Sequence, residues 1–141
     1  MTGAISPIPP MNTEVYMSTT DETIEQEIQA KGLTAPRVTP ADIEANIASE
    51  HYFTASDGVV GAAAALTGQA LGGITYEIPP LHLLTFCVLV LRNGFTATGT
   101  SACASPENFD AEIGRKVARQ KALEDVWMVM GYELRTKLAG L

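Results

Sequence analysis

The strongest pattern in the chain is a run of nine residues, Leu83-Leu84-Thr85-Phe86-Cys87-Val88-Leu89-Val90-Leu91, apolar almost throughout. Arg92-Asn93-Gly94 interrupts it. Then Phe95-Thr96-Ala97-Thr98-Gly99-Thr100 places Phe95 and Ala97 on one face and the threonines on the other. Two β-prone segments around Asn-Gly predict an antiparallel hairpin whose two turn residues both take positive φ. A first strand with so few polar positions is expected to be covered on both faces.

Helical signals flank this core. Thr39-Pro40-Ala41-Asp42 sets a capping hydroxyl before a first-turn proline, with an acid three residues after the threonine. The helix it opens carries Ile43 and Ile47 on one face. It is expected to fade near Glu50, because His51-Tyr52-Phe53-Thr54 favours extended backbone. Residues 21–32 predict a short helix, acidic at its start, with Lys31 at its end and Gly32 just beyond. Ser105-Pro106 repeats the start signal and predicts a long helix from about Pro106 to Leu138. Its apolar positions split, with Ile113 and Val117 on one flank and Leu123, Trp127, Met130 and Leu134 roughly opposite. A helix with two apolar flanks is expected to meet two surfaces, one of them on another subunit, so a homo-oligomer is expected.

Residues 1–20, rich in Pro, Ser and Thr, read as a disordered arm. Residues 56–73, rich in Gly and Ala, read as a flexible insertion that Pro79-Pro80 closes. The expected fold is therefore α+β, a single domain over residues 21–141. One or two N-terminal helices precede a small antiparallel sheet built on the Asn-Gly hairpin, and a long C-terminal helix follows.

Charge narrows the function. With 16 acidic and 9 basic residues in 141, the formal charge is −7, which argues against general nucleic-acid binding. An apolar run of nine residues is far short of the roughly 20 a membrane span needs. The first residues, Met1 to Pro10, lack the basic start and apolar core of a signal peptide, so a cytoplasmic setting is expected.

The candidate chemistry is cationic. Arg115, Lys116, Arg119 and Lys121 are four of the nine basic residues, and at 100° per residue Arg115, Lys116 and Arg119 share a face suited to phosphate or an acidic partner. The loop Gly99-Thr100-Ser101-Ala102-Cys103-Ala104-Ser105 offers small and hydroxyl-bearing residues at the expected start of the long helix, where Ser101 and Ser105 would help cradle an anion. Tyr52 and Phe53 are candidates to stack on a base. No catalytic set is expected, because Cys103 with His51 or His82 lacks an orienting third group. Two cysteines and two histidines at scattered positions make no metal motif, and no cofactor is expected.

The stretch from Leu84 through the hairpin to Cys103, its continuation Asn108-Phe109-Asp110-Ala111-Glu112-Ile113-Gly114-Arg115-Lys116-Val117-Ala118-Arg119, and Gly131-Tyr132-Glu133-Leu134-Arg135 resemble a family of small tailed-phage proteins. That family is catalogued by the gene-product numbers forty-nine and sixty-six of two phages. The resemblance spans about residues 38–139, including Ile47 to Phe53. It implies an accessory phage protein working in the bacterial host's cytoplasm. Such a setting favours a non-enzymatic binder that counters host defence by sequestering a small nucleotide signal, with Arg115, Lys116, Arg119, Ser101, Ser105, Tyr52 and Phe53 as its site. The alternative it leaves open is a host-protein inhibitor or adaptor acting through an acidic surface.

Overall fold

The computed structural model describes residues 13–67 and 78–141. The chain divides into two compact units, one ending at Pro36 and the other spanning Arg37–Leu141. In the first, helix α1 (Thr13–Ala30) is stopped by Gly32, which takes a φ of +67°. The Gly32 N–H donates to the Gln29 carbonyl and the Leu33 N–H to the Ile28 carbonyl, closing the last turn. Helix α1 thus starts inside the stretch expected to be a disordered arm, while residues 1–12 lie outside those described.

The second unit runs through α2 (Pro40–Asn46), β1 (Ile47–Thr54), α3 (Ala55–Thr67), a 3₁₀ turn (Pro79–Leu83), β2 (Leu84–Leu91), β3 (Thr96–Ala102), a second 3₁₀ turn (Pro106–Asn108) and α4 (Ala111–Leu138). Its sheet has the order β1-β2-β3 with both pairings antiparallel.

Capping sets most boundaries. The Thr39 hydroxyl accepts from the Asp42 N–H at 3.1 Å and the Asp42 carboxylate accepts from the Thr39 N–H at 2.9 Å, so α2 opens with a full capping box. It stops at Asn46, earlier than expected, because residues 47–54 pair with β2. The same reciprocal pair recurs between Thr54 and Asp57, at 2.9 and 3.1 Å. Thr54 is both the last residue of β1, opposite Thr85, and the cap of α3. Through Thr67, the stretch read as a flexible insertion is therefore helix, and the rest of it, 68–73, lies outside the described residues.

The hairpin is not a two-residue Asn-Gly turn. Leu91 N–H donates to the Phe95 carbonyl, which leaves a three-residue loop, Arg92-Asn93-Gly94, in which only Gly94 has positive φ (+87°). This is the three-residue solution, with glycine in the left-handed position, and the Asn93 side chain accepts from the Phe95 N–H instead.

Among the described residues, the two faces of strand β2 are covered unequally. Thr85, Cys87, Leu89 and Leu91 are buried against α4, while Leu84, Phe86, Val88 and Val90 on the reverse face are only half-buried. There Phe53 stacks on Phe86, with ring centroids 5.4 Å apart.

Helix α4 meets the sheet through small residues rather than through the bulky ones the sequence pattern emphasised. Gly114, Ala118, Ala122 and Val126, spaced four apart, are its buried face. At Gly99 of β3 a Cβ would lie 2.1 Å from the Ala118 carbonyl oxygen and 2.4 Å from the Ala122 nitrogen. Helix and strand backbones are in direct contact there. Ile43, Cys87, Leu89, Leu91 and Ala97 complete the core, with Trp127, Val129 and Met130 packed at its edge. Ile113, expected to pack, is exposed.

Candidate functional site

The seven residues singled out from the sequence do not converge. Helix α4 starts at Ala111 with the Asp110 carboxylate capping it by accepting from the Ile113 N–H at 2.9 Å, so the expected start at Pro106 is displaced by a short 3₁₀ turn. The loop thought to cradle an anion at that helix start is mostly strand. Ser101 lies in β3 opposite Thr85, and Ser105 precedes the 3₁₀ turn without a side-chain cap. A carboxylate, with Glu112 beside it, occupies the positive end of α4. Tyr52 and Phe53 are successive in β1 and so point to opposite faces, Tyr52 beside Cys87 on the α4 side and Phe53 onto Phe86 behind.

The cations are divided as well. Lys116 pairs with Glu112 at 2.8 Å. Arg119 reaches from α4 across to α2 and β1, where its Nη2 donates to both Glu44 carboxylate oxygens at 2.8 and 3.0 Å and its Nε donates to the Glu50 carboxylate. The Tyr52 hydroxyl donates to the same Glu50 oxygen at 3.3 Å. Two carboxylates against one guanidinium leave this corner net negative. It joins α2, β1 and α4, and the carboxylates hold the guanidinium well above its usual pKa despite its burial. Burial pushes the Tyr52 phenol up, with the neighbouring Cys87 and Glu50 adding to it, and burial likewise pushes the Cys87 thiol up. Of the predicted cations, Arg115 and Lys121 are exposed and form no ion pair among the described residues.

A different set of cations does converge. A cleft of about 320 Å³ opens where α2, the β2–β3 loop and the C-terminal half of α4 meet. Val38, Ala45, Met130 and Leu134 give it an apolar wall, and Arg37, Arg92 and Lys137 bring positive charge from three separate segments, with Asn46 between. Asp42 and Glu133 also line it, but Asp42 is engaged by the Thr39 N–H and Glu133 pairs with Lys137 at 2.8 Å. The balance is one net positive charge in a chain carrying −7. No spacing rule links Arg37, Arg92 and Lys137, so sequence reading had no signal for them beyond a cation in a hairpin loop.

Residues 38–138 match the phage protein family described as N4 Gp49/phage Sf6 gene 66. The chain belongs to this family. The match begins at Val38, at the start of the second compact unit, and ends with the last residue of α4. It therefore takes in the whole core and all of the cleft except Arg37. No curated protein and no solved structure shows significant similarity to the chain. Among the described residues of this family member, no group of three or more His, Cys, Asp or Glu is placed to hold a metal, and no helix is long and apolar enough to cross a membrane.

Proposed function

We propose that this phage protein is a non-enzymatic accessory binder that captures a small anionic ligand of nucleotide type, one molecule per site. Its setting would be the cytoplasm of the bacterial host, and sequestering a host defence signal would be its effect. The observation that supports the reading is the cleft, which Arg37, Arg92 and Lys137 line together with an apolar wall. Cations recognise phosphate oxygens, and the Val38, Met130 and Leu134 surface suits the flat body of a base. The volume is at the small end of ligand sites, which favours a compact ligand over a polymer.

Calorimetry and thermal shift with mono-, di- and cyclic nucleotides, with inorganic phosphate alongside, test the proposal. At a concentration of about 100 times Kd, one ligand should add about 2.7 kcal/mol of stability. The paired substitution Arg92→Ala with Lys137→Ala should remove the response, and Arg115→Ala should leave it. Silence across the panel ends the proposal, and loss with Arg115→Ala alone moves the site to the N-terminal part of α4. The acidic balance of the chain supports the second reading, a host-protein inhibitor or adaptor. A stoichiometric host protein co-purifying with a nucleotide-silent chain decides for it.

A further inference from the structure

The outward face of α4 carries a pattern that neither the core nor the cleft uses. Met128 and Tyr132 are 66% and 76% exposed, one turn apart, with Gly131 between them. A Cβ at Gly131 would meet nothing, so no close approach within the chain calls for a glycine in the middle of this helix. Glu124 and Arg135 flank the stripe, both exposed and neither in an ion pair among the described residues. Eleven residues of helix place them about 16 Å apart, too far to meet each other.

We propose that this face is a docking surface for a second copy of the same chain, with the two α4 helices antiparallel. The sequence is self-complementary in that arrangement. A two-fold axis passing between Val129 and Met130 sets Glu124 of one chain against Arg135 of the other, and sets Met128 against Gly131, each contact occurring twice. The missing side chain at Gly131 then makes room for the Met128 thioether, and the two unpaired charges on each chain become two cross-chain pairs. A parallel pairing would bring Glu124 to Glu124 and Arg135 to Arg135, so charge selects the antiparallel form. The stripe is one helix wide, which makes this a modest interface and a reversible dimer.

Sedimentation equilibrium of the full chain over a dilution series tests it, with circular dichroism confirming that every variant stays folded. The wild type should be a dimer that dissociates on dilution. Glu124→Arg and Arg135→Glu should each weaken it on the order of tenfold, since each change turns two attractions into two repulsions. Combining them restores opposite charge across the axis and should restore the dimer. Gly131→Leu should keep the helix and lose the association. A wild-type chain that is monomeric throughout, or a double charge reversal no tighter than either single one, overturns the proposal.

Discussion

Replacing Gly99 by alanine tests the central packing claim, that α4 rests directly on the backbone of β3. The new Cβ would sit 2.1 Å from the Ala118 carbonyl oxygen, 2.4 Å from the Ala122 nitrogen and 3.0 Å from the Lys121 carbonyl carbon. All three are main-chain atoms of one helix, so no rotamer change relieves the clash. Gly99 is not among the glycines with positive φ, and the cost is therefore steric rather than conformational. Reaching an ordinary carbon–oxygen contact of about 3.4 Å requires α4 to retreat by about 1.3 Å, and a gap of that size forfeits about half or more of the dispersion well of each contact it opens. Leu89, Ala97, Ala118, Ala122 and Val126 share that interface, all fully or almost fully buried. Overpacking costs about 1–3 kcal/mol where side chains can adjust. With backbone on both sides, at least about 3 kcal/mol is expected, which in a unit of this size lowers Tm by roughly 12 °C or more. Urea and thermal unfolding followed by circular dichroism measure it. Gly61→Ala in α3 is the internal control, because its Cβ meets nothing and helix propensity should raise stability by up to about 1 kcal/mol. If Gly99→Ala melts within about 3 °C of wild type, α4 does not lie where it has been described and the reasoning fails.

Three further outcomes are expected. Arg119→Ala strips Glu44 and Glu50 of their shared guanidinium and should cost about 1–2 kcal/mol, discounted because Glu44 is largely exposed. Arg119→Lys should recover little of it, since an ammonium cannot reproduce the fork, and full recovery in urea titrations would contradict the geometry. In thiol titration the native chain should react at Cys103, which is half-buried with its Sγ–H on the Ser105 carbonyl at 3.1 Å, and hold Cys87 back until it unfolds. Two rapid equivalents would contradict the burial of Cys87. The third concerns alkaline pH. Because the folded Tyr52 pKa is raised, the native chain keeps the phenol proton after the unfolded chain has lost it. Its stabilising contribution is thus fully present below the unfolded value, near 10, and is lost as pH climbs above it. The slope is at most about 1.4 kcal/mol per pH unit, lessened by solvent at a half-buried ring. Tyr52→Phe should flatten Tm against pH between roughly 9 and 11, leaving the part due to Cys87, whose thiol shifts the same way.

Local chemistry was readable from the sequence wherever a boundary depended on neighbours. The Thr39–Asp42 cap, the two strands around Arg92-Asn93-Gly94 and the end of the long helix at Leu138 all rest on residues within a few positions of one another. Reading went astray where small residues carried the packing. Counting bulky apolar positions pointed to Ile113, whereas Gly114, Ala118 and Ala122 are what lets the helix approach Gly99. Glycine and alanine content suggested flexibility after Ser56, yet Thr54 and Asp57 form a cap as complete as that of α2. Ser105-Pro106 masked Asp110 as the true start of α4. The candidate site was the least legible part. Arg119 finds partners 69 and 75 residues away, and Arg37, Arg92 and Lys137 meet only because α2, the hairpin loop and α4 fold together.

The double membership of Thr54 has a mechanical outcome. Strand and helix share one residue with no slack between them, so a one-residue slip of β1 would turn over Tyr52 and Phe53 and uncap α3 in the same step. The alignment of the edge strand is thereby enforced twice, by the ladder beside it and by the coil that follows. Amides in the last rungs of β1 and the first turn of α3 should exchange with deuterium as one cooperative block.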